Sequence, residues 1–108
     1  MKNERFDNAV KKTLEDIEQL LTVKGLEYRR NNNVYHNFDV GAGITGETPE
    51  KVLHGFLLKH LISAQDIRND IGLGVLPTAE KVEEKWNDIL VYFLIEKAMI
   101  LERIHSES

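Results

Sequence analysis

Cysteine is absent from this 108-residue chain, which excludes a disulfide framework, a thiolate zinc site and a thiol nucleophile. Proline is scarce, at two residues, Pro49 and Pro77. Helices can therefore run uninterrupted across the long stretches on either side. Long apolar runs are missing as well: the longest, from Ile89 to Ile95, is far short of a membrane span, and the mixed-charge start MKNERFDNAVKK does not read as a leader. The expectation is a soluble cytoplasmic protein with no membrane partner. Positive charge is in deficit, with Lys and Arg totalling 14 against 18 Asp and Glu, for a net charge of −4. Such a surface repels a polyphosphate strand, so DNA and RNA polymers are not expected partners. A Gly-rich phosphate loop, a Ser-His-Asp order and an HExxH spacing are also lacking.

What the chain does have is helical periodicity. Its length and 42% apolar content describe one domain, residues 1–108, able to bury a core without staples. Phe6, Val10, Leu14, Ile17, Leu20 and Leu21 recur at three-to-four spacing and predict a first long helix over about 4–30. An Asn- and Gly-rich stretch follows, in which Asn37 as a cap and Gly46 as a stop predict a short helix near 38–45. Thr48, Pro49 and Glu50 form a strong start signal for a helix over 49–70, whose apolar side carries Val52, Leu53, Phe56, Leu57, Leu61, Ala64 and Ile67. Thr78 caps a last helix over 78–104, with Val82, Trp86, Ile89, Leu90 and Phe93 on one side and Glu84, Asp88 and Tyr92 on the other. The expected fold class is all-α, three main helices plus one short one in a bundle. From Ile89 to Leu101 the last helix is apolar nearly all round, more than a three-helix monomer can cover. That predicts a homo-oligomer joined through this helix.

Polar residues interrupt these stripes in a pattern that folding does not require. Extending the first stripe by helical turns lands on Lys24 and then Tyr28; His60 lies inside the third helix's apolar face with Lys59 beside it. Val91 and Ile95 follow Asp88 on nearly the same side of the last helix, so Asp88 is expected to be partly desolvated and paired to Lys24, Lys59 or His60. A histidine on an apolar face is more often a satisfied core residue, and a Lys/Asp row more often a solvated one. The recurrence on three helices nonetheless points to one polar pocket between them.

The segments KGLEY, NF, TPEKVLHGFLLKH and EEKWNDILVYFLIEKAMILE resemble a group of small bacteriophage-encoded helical proteins, over roughly Phe6 to Glu102. Their pattern is K-G-x-E-Y, N-F, T-P-E, a K-H pair and D-x-x-x-Y. They look like distant relatives of nucleotide-modification-associated and MazG-like all-α nucleotide pyrophosphatases. Where the group commonly has Asn beside the last Tyr, this chain has Val91. The resemblance implies ligand-binding roles for Lys24, Tyr28, Asn37, Phe38, Lys59, His60, Asp88 and Tyr92, and a location in the host cell cytoplasm.

Three readings follow. The first is a phage accessory protein that binds a phosphate-bearing, nucleotide-like ligand between its helices, without a cofactor, and sequesters a host signalling nucleotide. Lys24, Lys59, His60 and Arg29 or Arg30 would contact phosphate, with Tyr28, Tyr35 or Phe38 stacking on a base. The second is a magnesium-dependent, MazG-like nucleotide pyrophosphatase, for which Glu84, Asp88 and Asp66 are the available metal ligands. The third is a helical protein–protein adaptor whose polar residues only fix helix register.

Overall fold

In the computed structural model the described residues are 2–28 and 33–107, and they form four helices with no strand among them. These are α1 (Lys2–Tyr28), α2 (His36–Thr45), α3 (Pro49–Gly72) and α4 (Ala79–Glu107). The all-α expectation holds, with boundaries within three residues of those read in the sequence. α4 is central: α3 and α1 both pack on it, and α2 packs on α3.

Local chemistry sets the ends. Thr48 is extended and its hydroxyl accepts from the Lys51 N–H, with Pro49 at the first helical position. The Thr78 hydroxyl likewise accepts from the Lys81 N–H at 3.2 Å. Gly46, at φ 77°, closes α2 onto the Ala42 carbonyl, a left-handed stop that glycine adopts without a Cβ penalty. The start of α2 departs from expectation. Asn37 does not cap it; Asn37 lies exposed within the first turn, and Tyr35 occupies the cap position without a side-chain bond. Asn33 does the equivalent work from two residues upstream, accepting from the Tyr35 N–H at 2.9 Å and donating to Asp39 at 2.9 Å.

The core is built from Leu53, Leu57 and Ala64 of α3, Ile89, Val91, Tyr92, Ile95 and Met99 of α4, Ile17 of α1 and Phe38 of α2, with Trp86 packed against it. α4 therefore buries part of both sides: Ile89 and, in part, Trp86 of the expected face are covered, and so is Tyr92 of the other. Tyr92 is buried with Asp88 half-covered beside it, whereas Leu90 and Phe93 are exposed. Both sides of this helix are apolar, and α3 docks on the one that carries the polar residues. Phe38 stacks on Phe56 with ring centroids 5.5 Å apart, seating α2 on α3. At the far end of the α3/α4 pair, Arg103 of α4 forks onto Glu50 of α3 through two bonds of 2.8 Å.

Candidate functional site

Asp88 is the pivot of the polar cluster. Its Oδ2 lies 3.8 Å from His60 Nδ1 across the α3/α4 contact, with the two side chains 21% and 25% exposed. Tyr92, one turn after Asp88, lays its ring against the His60 imidazole at 5.4 Å between centroids and 34° between planes. The i to i+4 spacing on α4 thus brings an acid and an aromatic to bear on one histidine from α3. At 3.8 Å the two atoms are beyond direct hydrogen-bond distance.

On its other side Asp88 opens onto a cavity of about 350 Å³ between α1 and α4, lined by Asp16, Gln19, Leu20, Val23, Glu84, Asn87 and Asp88. Asn87, 8% exposed, is the buried polar residue of the core. Its amide donates to Asp16 at 3.4 Å, linking residues 71 apart in sequence. Lys12 holds the same Asp16 oxygen at 2.8 Å and reaches Glu83 on α4 at 3.3 Å. The hydrogen bond from Lys12 is the main reason that the Asp16 carboxyl is held below its ordinary value, with Asn87 adding to it against some desolvation. The same pairing, chiefly with Asp16, raises Lys12.

Of the sequence-derived candidates, the fold gathers His60, Asp88 and Tyr92 into one cluster and adds Glu84 through the cavity wall. Lys59 is exposed and not part of that wall, as is Asp66. Phe38 is a core residue, 1% exposed, and Asn37 is exposed on α2. The side chains of Lys24 and Tyr28 lie outside the described residues, so the expected pairing of Lys24 with Asp88 does too. Of the described candidates, His60 lies within ion-pair distance of Asp88. Asp16, Gln19 and Asn87 entered the site unannounced. Asn87 had a signal, since it precedes Val91 and Leu94 at four and seven residues; Asp16 had none, sitting at the flank of its stripe among other charges.

The described wall therefore carries three carboxylates, Asp16, Glu84 and Asp88, two side-chain amides and no cation. Chemically this is an acceptor-rich pocket, suited to hydroxyl, amino and amide donors. Among the described residues no group of three His, Asp or Glu side chains takes a metal-holding arrangement, and no described helix is long and apolar enough to cross a membrane. No protein-family model, curated protein or solved structure matches the chain. The phage-protein resemblance rests on its sequence motifs alone.

Proposed function

We propose that this chain is a small-molecule-binding helical protein whose site is the α1/α4 cavity, and that its ligand is nucleotide-like. The observation that supports this reading is the opening of a cavity beside a part-buried Asn87–Asp16 contact and the half-buried Asp88–His60 pair. Packing alone favours carbon at these positions, because each buried polar group costs free energy to desolvate. A volume of about 350 Å³ falls at the low end of ligand sites. Acceptors on the wall favour the donor-bearing parts of such a ligand, the amino groups of a base and the hydroxyls of a sugar. A phosphate would be repelled by Glu84 and Asp88, and so lies away from them. Position 24 is one turn beyond the lining residue Leu20, which puts the backbone of Lys24 at the matching end of α1. In the setting of the phage resemblance, a binder without turnover would serve to sequester a host signalling nucleotide.

One observation favours a second reading. Glu84 and Asp88 are one turn apart on α4 and share a wall with Asp16, a carboxylate-rich lining of the chemical type a magnesium-dependent nucleotide hydrolase uses, although these three are not grouped to hold an ion. Titration calorimetry against a panel of nucleosides and nucleotides, with magnesium and with EDTA, separates the two. Binding that survives EDTA and falls at least tenfold in Glu84→Gln is the expected outcome. Magnesium-dependent release of pyrophosphate, lost in the same variant, would replace the binder by the hydrolase. No binding to any member of the panel would leave the adaptor reading.

A further inference from the structure

A second surface has nothing to do with the polar cavity. The N-terminal half of α1 turns Phe6, Val10, Leu14 and Ile17 along one side, and Leu90 and Leu94 of α4 complete the walls of an apolar groove of about 390 Å³. Only Ile17 is buried; Phe6 is 68% and Leu14 63% exposed. Among the described residues no charged side chain lines this groove.

The dimensions of the chain say how much is uncovered. A compact monomer of 12.4 kDa exposes about 6,100 Å², whereas this one exposes 8183 Å², an excess of about 2,000 Å². The radius of gyration is 16.4 Å, against about 13 Å for a globular domain of this length. The excess belongs to the whole surface of the chain, and it leaves room for the roughly 1,000 Å² or more per copy that an obligate homodimer buries.

We propose that the groove is the interface with a second copy of this chain, each protomer laying its α1 stripe against the α1/α4 groove of the other. The surface excess leaves room for a partner, and the chemistry of the groove selects which one. The groove lacks charge with which to recognise a polar partner. The chain itself supplies an uncovered apolar helix face of matching length. In a two-fold arrangement one patch serves both partners, so a single stripe and a single groove suffice. α1 is thereby as much a part of the interface as the last helix.

Light scattering on the full chain at about 50 µM, with circular dichroism to follow helicity, tests this. The wild type is expected at about 25 kDa, twice the chain mass, by two-fold closure. Leu14→Glu is expected near the 12.4 kDa of one chain with its helical signal kept, because the residue is solvent-facing in the single chain. Leu73→Glu, equally apolar and exposed but on the α3–α4 loop, is expected to leave the dimer intact. A wild type of one chain mass overturns the proposal, and its co-sedimentation with anionic vesicles would reassign the groove to a lipid boundary. A dimer broken by Leu73→Glu and not by Leu14→Glu overturns it as well. Should Leu14→Glu unfold, hydrogen exchange of the wild type decides. Protection of residues 6–17 and 90–94 that grows with concentration supports the interface, and protection confined to 71–76 rejects it.

Discussion

At the scale of single residues, Asp88 shows what an acid inside an apolar register implies. It lies within ion-pair distance of His60, and both side chains keep about a quarter of their surface wet. Water screens the pair, so its loss costs less than the removal of one partner from a dry pair. Asp88→Ala is expected to destabilise the fold by about 1–2 kcal/mol, read from urea denaturation. A change under about half a kcal/mol would put Asp88 among ordinary surface charges. Asp88, His60 and Tyr92 were legible because each breaks an apolar pattern at helical spacing. Asp16 was not: a flanking acid becomes part of a site only once α1 docks against Asn87, and that docking joins residues far apart in the chain.

At the scale of elements, the caps and stripes were readable and the choice of buried face was not. Thr48, Thr78 and Gly46 act through local backbone chemistry, and all three behave as their sequence positions dictate. On α4 both sides are apolar, so periodicity yields two candidate core faces; packing covers part of each, Ile89 on one and Tyr92 on the other, and leaves Leu90 and Phe93 exposed. On α1 the stripe from Phe6 to Leu14 is as regular as a core stripe, yet α3 and α4 leave it open. Two glycines of α2 show how packing overrides intrinsic propensity. A Cβ at Gly41 would sit 2.7 Å from Val52 Cγ1 on α3, while one at Gly43 meets nothing within 4 Å. Replacing Gly by Ala in a helix interior gains about 0.5–1 kcal/mol where there is room. Gly43→Ala is therefore expected to raise the melting temperature. Gly41→Ala is expected to lower it, because the stiff β-branched Val52 must shift at the α2/α3 contact. Thermal melts of the two variants side by side check the pair, and equal stabilisation of both would mean that α2 rides freely on α3.

At the scale of the whole molecule, pH acts through groups that tie helices together. On the alkaline side, Lys12 is raised by its bonds to Asp16 and Glu83, and Tyr35 is raised by desolvation with Glu102 adding to it. In both cases the folded state holds its proton longer than the unfolded chain does, so their stabilisation fades as pH rises through the folded values. On the acid side Asp16 is lowered chiefly by Lys12, and Glu50 is held below its ordinary 4.5 chiefly by the Arg103 fork, with burial opposing. A depressed carboxylate contributes stability that is full above the unfolded value and is lost as pH falls through the folded one. The fork spans the open end of the α3/α4 hairpin, whose other end is closed by the short loop after Gly72, so its loss frees the chain termini of both helices. Arg103 is about half exposed. Removal of the fork by Arg103→Ala should therefore cost only about 0.5–1 kcal/mol at pH 7. Once Glu50 is protonated in both proteins the charge-assisted part of that cost disappears, and the melting curves of wild type and variant should converge toward pH 2.5. A gap as wide at pH 2.5 as at pH 7 would trace the effect to packing of the Arg103 stem on α3 and leave the fork without a role in stability.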